Sequence, residues 1–276
     1  MQLISPDKNT FPLISKYIQR YEEKCIFLAS HIRRQSKNLY IISNSGKTND
    51  IQGIIYLDSS LFHLIPNLEN INAEELFSLI RQKQETKIKC ISGEAKGTEF
   101  FKNLLKEVQG EAYQTNHYKL MTADQTVNPP EELANDDQII RCTEADIDLL
   151  FPIQKKYLTE EVAPFGKTVT DAEVSIGLRQ TLKNQLCLAL YSNGEIVAKA
   201  NTNAIGINWI QLGGVYTDPL YRRNGYAWHL ISAICRRTSK AGKKSALFVK
   251  DINVPAMELY KKLGFKDSGL YEIAYF

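Results

Sequence analysis

Hydrophobic residues recur along this chain with the two spacings of regular secondary structure. Some stretches have an apolar residue every three or four positions, which predicts amphipathic helices, and others have short alternating or continuous apolar runs, which predict strands. The helical spacing is clear at Ile14, Tyr17, Ile18 and Tyr21. Over the first 122 residues the predicted order is helix, strands, helix, strand, helix and strand, at 11–33, 39–43, 52–57, 61–64, 73–82, 87–92, 98–108 and 117–122.

The second half of the chain repeats this order. Thr143, with Asp146 three residues later, resembles a capping box and predicts a helix start, and Pro152 predicts a kink or an early end of that helix. Helices and strands are predicted at 138–142, 143–158, 171–183, 185–191, 195–203, 207–217, 225–241, 245–250 and 254–262, with a pair of strands at 265–276. The fold class expected for both halves is α/β (α+β), a twisted mixed sheet flanked by helices.

Residues 123–136 separate the two halves. This stretch has no periodic apolar pattern and contains the pair Pro129-Pro130, so we interpret it as a linker. The domains expected on either side are 1–122 and 137–276, and each has the size of an ordinary domain.

Composition adds limits on location and partners. Of the 276 residues, 43% are hydrophobic and 24% are charged, with a formal net charge of +3, as in soluble globular proteins without a basic stripe for nucleic acid. No apolar run reaches the roughly 18 residues of a membrane span, and the first residues lack an apolar signal core. We therefore expect a cytoplasmic protein with no membrane or nucleic-acid partner. Five cysteines without a CxxC pair predict reduced thiols, and four scattered histidines predict no metal site.

The stretch 213–227 carries the strongest chemical signal. An apolar, strand-like run ends there in a turn, and the helical spacing resumes at Gly225. A helix start offers free N–H groups and the positive end of the helix dipole to an anion. Gly225 allows the backbone to approach a phosphate closely, and Arg222 and Arg223 add positive charge. The pattern therefore predicts a phosphate-binding turn.

Two motifs in this region resemble those of a known superfamily. The segment Arg222-Arg-Asn-Gly225-Tyr-Ala227 matches Arg/Gln-x-x-Gly-x-Gly/Ala and resembles the pyrophosphate-binding turn of the GNAT acyltransferases, which bind acyl-coenzyme A. Residues 246–265 are similar to the strand, Asn, Tyr-bearing helix and Gly-Phe pair that follow in that superfamily. The resemblance implies tandem GNAT-like domains, with acetyl-CoA as co-substrate and no metal.

The first half lacks the cofactor motif. Where the loop would stand, residues 66–73 read Pro-Asn-Leu-Glu-Asn-Ile-Asn-Ala, and Glu69 and Glu74 would repel a pyrophosphate. We therefore expect this half to be a degenerate GNAT-like domain.

The resemblance also implies which residues contact the cofactor. In GNAT proteins the central strand splays from its neighbour, and its free backbone groups pair with the pantetheine arm. The cofactor-binding residues implied by position are Val215, Tyr216, Thr217, Arg222, Arg223, Asn224, Gly225, Tyr226, Ala227 and Asn253. Asn253 also suits a helix cap, and the strand residues also suit a core strand.

Tyr260 has the position of the GNAT tyrosine that commonly protonates the coenzyme A thiolate. The alternative is a packing tyrosine that shares a helix face with Met257. The central strand has no acidic residue at 206–215, so the general base implied is Glu161, at the end of the first helix beside Glu160. A solvated helix-end carboxylate and a water chain without a dedicated base remain alternatives.

The expected function is transfer of an acetyl or other short acyl group from acetyl-CoA to a primary amine. The acceptor is a small molecule, an amino acid or a peptide N-terminus. A non-catalytic acyl-CoA-binding sensor or scaffold is an alternative, because a clear base is missing. A transferase that uses aminoacyl-tRNA is a third possibility, against which the intact coenzyme A loop and the lack of a basic stripe both argue.

Overall fold

A computed structural model describes residues 1–83, 87–124, 132–134, 136–164 and 166–276. The described residues form eight α-helices: α1 (Phe11–Ile18), α2 (Ile26–Arg33), α3 (Ala73–Lys83), α4 (Ala95–Gln109), α5 (Ile147–Tyr157), α6 (Asp171–Asn184), α7 (Tyr226–Lys240) and α8 (Val254–Lys262). They also form twelve strands: β1 (Gln2–Ile4), β2 (Leu39–Ser43), β3 (Gly53–Leu57), β4 (Ser60–Leu64), β5 (Cys90–Glu94), β6 (Gln114–Ala123), β7 (Gln138–Cys142), β8 (Cys187–Ser192), β9 (Glu195–Ile205), β10 (Trp209–Thr217), β11 (Lys244–Lys250) and β12 (Lys266–Tyr275).

The twelve described strands belong to one mixed sheet. Their order is β1-β2-β3-β4-β5-β12-β6-β11-β10-β9-β8-β7. Strand β6, from the first half of the chain, lies between β11 and β12 of the second half. Strand β12, in turn, lies between β5 and β6. The fold is the mixed α/β class predicted from the sequence, with the two halves joined by backbone hydrogen bonds in one continuous sheet.

The two shared strands are paired on both sides. Met121 of β6 lies opposite Leu247 of β11 on one side and opposite Asp267 of β12 on the other. Tyr271 of β12 lies between Tyr118 of β6 and Glu94 of β5. The predicted pair of strands at 265–276 is therefore wrong: this stretch is the single strand β12. Its antiparallel partner is supplied by β6, which replaces the second arm of a hairpin.

Helix α7 packs on the half of the sheet that carries the predicted cofactor loop. Leu230, Ile231 and Ile234 are fully buried and belong to one cluster with Leu212 of β10 and Leu247 of β11. Their spacing of three and four residues places them on one face of the helix. The helix predicted at 225–241 is confirmed.

The single helix predicted over 11–33 is two helices, α1 and α2, separated by the 3-10 turn Glu22–Lys24. The break places the fully buried Glu22 side chain against the loop between β9 and β10. Its carboxylate accepts hydrogen bonds from the backbone N–H groups of Ile207, Asn208 and Trp209, at 2.9 Å from Asn208 and 3.1 Å from Trp209. Through these hydrogen bonds, a side chain of the first half fixes the β9–β10 connection of the second half.

Helix α5 runs through Pro152 to Tyr157 instead of ending at the proline. Pro152 stands in the middle of the helix, where it removes the N–H donor of one i→i−4 hydrogen bond without ending the helix. The chain then continues in a π-helical turn, Leu158–Val162. The predicted linker at 123–136 falls largely outside the described residues.

None of the helices in the described ranges is long and apolar enough to cross a membrane.

Candidate active site

Strand β10 separates from its parallel neighbour β11 halfway along its length. Their register begins with Trp209 opposite Lys244 and ends with Leu212 opposite Leu247, although both strands are described to their ends. From Gly213 to Thr217 the backbone of β10 therefore has no strand partner on that side among the described residues. Such a gap offers backbone hydrogen-bonding groups to an extended ligand that adds itself as a strand.

Two glycines shape β10 at the point of separation. The register with β9 shifts between Gly213 and Tyr216, and Gly214 has a φ of +59°. An added Cβ at Gly214 would lie 1.9 Å from Asn201 Oδ1, and one at Gly213 would lie 2.0 Å from Asn203 Nδ2. A side chain at either position would have to displace these amide side chains of β9, and the positive φ of Gly214 also favours glycine there.

Lys199 of β9 lies under this bulge and is 1% exposed. Its Nζ donates to the Gly214 carbonyl at 2.9 Å and to Asn201 Oδ1 at 3.3 Å, and lies 4.4 Å from the ring centroid of Tyr157. Burial lowers the pKa of Lys199 to about 8. Among the described residues, no carboxylate forms an ion pair with it.

This polar group was not predicted, although the sequence contains a signal for it. Lys199, Asn201 and Asn203 occupy alternate positions of a strand whose other residues are mainly apolar. Alternate positions share one face of a strand, so three polar side chains on one face indicate a polar site within the sheet.

The predicted phosphate-binding turn leads directly into α7. Gly225 is the residue before the helix, has a left-handed φ of +73°, and as a glycine supplies no side chain to cap the helix. Arg223 also has a positive φ of +69°, and Asn224 Nδ2 donates to the Tyr221 carbonyl at 3.3 Å. These contacts hold a tight turn and leave the first N–H groups of the helix, at Tyr226 and Ala227, without a side-chain cap.

The two arginines of the turn differ in their contacts. Arg222 Nε donates to the Thr217 carbonyl at 3.2 Å, and its guanidinium lies 3.8 Å from a Glu160 carboxylate oxygen. Arg223 is exposed, and no residue of the described ranges forms a side-chain hydrogen bond or ion pair with it. Arg222 thus stabilises the end of β10. Arg223, which has no side-chain partner among the described residues, is available to contact an anion.

Helix α8 places Tyr260 inside the protein, in one buried cluster with Leu212 of β10 and Val249 of β11. Its side chain is 6% exposed, and its ring lies 6.0 Å from that of Phe265. Burial, together with Tyr157 and Glu161, raises the pKa of the phenol well above its usual value of 10. At the start of the helix, Asn253 accepts a hydrogen bond from the Ala256 N–H at 3.2 Å. Its side-chain oxygen therefore caps α8.

The two glutamates of the π-helical turn have different surroundings. Tyr216 donates its hydroxyl proton to Glu160 Oε2 at 2.8 Å, so Glu160 is tied to the central strand. Glu161 is half-buried, and its backbone carbonyl accepts a hydrogen bond from Lys250 Nζ at 2.7 Å. The Glu161 charge contributes to the raised pKa of both Tyr157 and Tyr260. The structure therefore brings Glu161 and Tyr260 into one electrostatic neighbourhood.

A cavity of about 880 Å³ opens on the bulge of β10. Gly214, Asn201 and Asn203 contribute to its lining from the sheet. The other lining residues come from both halves of the chain and are mainly apolar or aromatic, with lysines among them: Lys87, Lys89, Cys90, Tyr113, Gln154, Tyr157, Leu158, Val162, Ala163, Pro164, Lys167, Val169, Glu173, Gly177, Thr181, Tyr275 and Phe276. The size and lining suit a small organic ligand.

The corresponding place in the first half is filled. The parallel strands β4 and β5 pair from Ser60 to Phe62, and the next residue, His63, is 3% exposed. An added Cβ at Gly93 or Gly97 would lie 2.3 or 2.4 Å from its ring, and its Nε2 lies 3.0 Å from Thr98 Oγ1. The imidazole therefore occupies the space beyond the end of the β4–β5 pairing.

No described group of three or more His, Cys, Asp or Glu side chains is arranged to hold a metal ion.

Several solved structures share this architecture over nearly the whole chain. A protein from Drosophila covers 99% of this chain and 98% of its own, with 14% identity and a TM-score of 0.74. A GCN5-related N-acetyltransferase-like protein from Streptococcus suis covers 97% and 98%, with 14% identity and a TM-score of 0.56. A putative GNAT acetyltransferase from Novosphingobium aromaticivorans covers 91% and 96%, with 16% identity and a TM-score of 0.53. These likenesses show the fold.

No curated protein sequence matches the chain. The model of the acetyltransferase (GNAT) family matches residues 153–265, which extend from α5 to the residue before β12 and include the separated strands, the Gly225 turn and Tyr260. The GNAT-type structures from Streptococcus suis and Novosphingobium aromaticivorans also cover the first half of the chain. The stretch 153–265 therefore matches the GNAT family, and the chain as a whole has a tandem GNAT-like fold.

Proposed function

We propose that this protein is an N-acyltransferase that moves an acetyl, or other short acyl, group from acetyl-CoA to a primary amine. The observation that carries this proposal is the gap between β10 and β11, which lies between the Gly225 turn and the 880 Å³ cavity. The gap is suited to an extended arm, the turn to a pyrophosphate and the cavity to an acceptor.

The chain offers distinct groups to each part of the cofactor. The uncapped N–H groups at the start of α7 and the side chain of Arg223 would bind the pyrophosphate. The backbone of Val215, Tyr216 and Thr217 would pair with the amides of the pantetheine arm. The thioester would then lie at the bulge of β10, at the edge of the cavity.

Acyl transfer breaks the C–S bond of the thioester and forms a C–N bond. The attacking amine loses a proton, and the departing thiolate gains one. Tyr260 is the proton donor in this proposal, because its phenol is buried and makes no side-chain hydrogen bond within the described residues. Burial raises the pKa of the phenol, and desolvation of the departing thiolate raises the pKa of its conjugate acid in the same way, so the transfer remains feasible in the buried site.

Glu161 is the proposed acceptor of the amine proton, directly or through water. Glu160 is less suited to this role, since the Tyr216 hydroxyl and Arg222 engage its carboxylate. The acceptor itself is a small molecule, an amino acid or a peptide amine.

The proposal is tested by incubating the protein with acetyl-CoA and a broad panel of primary amines. Release of free coenzyme A thiol and the mass of the acetylated product are measured together. Amine-dependent release with a matching product mass supports the proposal. Binding of acetyl-CoA without transfer to any amine would contradict it and favour a non-catalytic acyl-CoA sensor.

A further inference from the structure

Lys199 is the most unusual charged group of the domain. It is fully enclosed, and its two hydrogen-bond acceptors, the Gly214 carbonyl and Asn201 Oδ1, are both neutral. An ammonium group without a carboxylate partner destabilises a protein interior, and a hydrophobic residue of similar volume usually gives a more stable fold. Fold stability alone therefore does not explain a lysine at this position.

The contacts of Lys199 converge on one peptide group. Gly214 is the residue whose positive φ forms the bulge, and its carbonyl is the one that Lys199 holds at 2.9 Å. The Asn201 side chain links Lys199 to Asn203. Its Oδ1 accepts a hydrogen bond from Lys199, and its Nδ2 donates one to Asn203 Oδ1 at 3.0 Å. A hydrogen-bonded row thus runs from the buried ammonium along β9 to the cavity.

We infer that Lys199 is a positioning residue, which fixes the Gly214 peptide through its ammonium group and thereby sets the backbone that receives the thioester carbonyl. This inference rests on the proposed acyl transfer. The bulge lies where β10 leaves β11, so a rotation of the Gly214 peptide would displace the groups beside the reacting carbon. Displacement of preorganised groups in an active site lowers the rate with little change in ground-state binding.

Lys199 changes its charge within a pH range in which activity can be measured. Titratable groups face it from three packed elements, Cys142 of β7, Cys187 of β8 and Tyr157 of α5, and Tyr216 of β10 lies opposite it in the register. Asp146 lies beyond the two thiols. Burial depresses the pKa of Lys199 to about 8, against the opposing effect of the thiols, so the ammonium charge is lost as the pH rises through 8.

The test compares the wild type with Lys199→Met and Lys199→Arg. Lys199→Met removes the charge and the hydrogen bond to the Gly214 carbonyl but keeps a long, unbranched side chain. We expect kcat to fall about 100-fold at neutral pH, with the dissociation constant for acetyl-CoA changed by less than about twofold. Lys199→Arg keeps a permanent charge and donors, and we expect it to retain more activity than Lys199→Met.

The pH dependence separates positioning from simple packing. The ratio of the wild-type kcat to that of Lys199→Met should fall as the pH rises through 8, because the wild type loses its ammonium charge and the variant has none to lose. Ionisation of the amine acceptor affects both proteins equally and cancels in the ratio. A constant ratio, or an unchanged kcat in a folded Lys199→Met protein, would overturn the inference.

An NMR titration, which needs no turnover, tests the coupling between Lys199 and Gly214 independently of the proposed acyl transfer. The backbone amide signals of Gly214 and Val215 in the ¹⁵N-labelled wild type should titrate with a midpoint near pH 8, and Lys199→Met should abolish this midpoint. If the wild type transfers no acyl group but shows the titration, the proposed function fails while the Lys199–Gly214 coupling stands. If the signals do not titrate, the coupling fails whatever the activity.

Discussion

Single side chains around the β10–β11 gap divide into groups that hold the backbone and groups suited to move protons. Lys199, Asn201 and Arg222 hold backbone or neighbouring side chains, whereas Tyr260 makes no side-chain hydrogen bond within the described residues. A buried phenol without a hydrogen-bond partner among those residues is available to a ligand. The sequence identified Tyr260 because its helix carries a recognisable motif. It could not show that Glu160, and not Glu161, is held by Tyr216 and Arg222.

Replacing Tyr260 with Phe should lower turnover by about 100-fold, because the leaving thiolate loses its proton donor. Acetyl-CoA affinity should be nearly unchanged, since the hydroxyl acts in the transition state. Because the pKa of Tyr260 is raised, the wild-type rate should show no loss from its ionisation below about pH 10. Calorimetry and steady-state rates check both parts, and equal turnover with rate-limiting chemistry would return Tyr260 to a packing role.

The buried ammonium of Lys199 also makes a prediction about stability. Its folded pKa of about 8 lies below the usual 10.5, so the unfolded chain binds more protons between these values. Stability should therefore rise with pH across this window, and the cost of the charge is fully present below pH 8. Lys199→Met should melt several degrees higher than the wild type at pH 7. Thermal melts at two pH values check this, and a variant that melts lower would contradict it.

Among the elements, the turn into α7 depends most on one residue. Gly225 has a left-handed φ of +73°, yet an added Cβ would meet no atom closer than 3.9 Å. Gly225→Glu should abolish coenzyme A binding, because it adds backbone strain and a negative charge beside the pyrophosphate. Gly225→Asn is the matched control, since Asn tolerates this φ and carries no charge, and it should retain most of the affinity. Equal calorimetric affinity of a folded Gly225→Glu protein would remove the phosphate role of the turn.

Local patterns predicted most elements but not how they are joined. Helix α8 has the bounds expected from its apolar spacing, and β5 and β10 lie within a few residues of theirs. The place of β6 between β11 and β12 could not be predicted, since alternation identifies a strand without identifying its neighbours. The break at Glu22 was missed for a similar reason: the residues that fix it, at 207–209, are remote in sequence.

At the scale of the whole molecule, Glu22 connects the two halves by hydrogen bonds, and we call this contact the Glu22 clamp. Its carboxylate satisfies three backbone N–H groups of the β9–β10 loop, and Lys243 donates to the Gly206 carbonyl of the same loop at 3.1 Å. Glu22→Ala should lower the free energy of unfolding by about 3 kcal/mol, because it leaves buried donors without acceptors. Glu22→Gln keeps one acceptor oxygen and should lose less. Chemical denaturation measures both, and an Ala variant as stable as the wild type would show that the clamp is not needed.

The shared strands make the second half dependent on the first. A fragment of residues 137–276 lacks β6 and therefore leaves both β11 and β12 with an open edge. It should be insoluble or melt far below the full chain, because exposed edge strands aggregate. A fragment of residues 112–276 retains β6 and is the matched control, which should be more soluble. Equal solubility and stability of the two fragments would show that β6 is dispensable.

The most direct test of the proposed site is a crystal structure of the protein with coenzyme A. We predict one molecule per chain, with its pyrophosphate at Gly225 and the start of α7, and its pantetheine arm between β10 and β11. Its thiol should lie beside Tyr260 at the edge of the cavity. The first half should remain empty, with the His63 ring in place beyond the β4–β5 pairing. Coenzyme A bound at β4 and β5, or outside the β10–β11 gap, would contradict the assignment of the site.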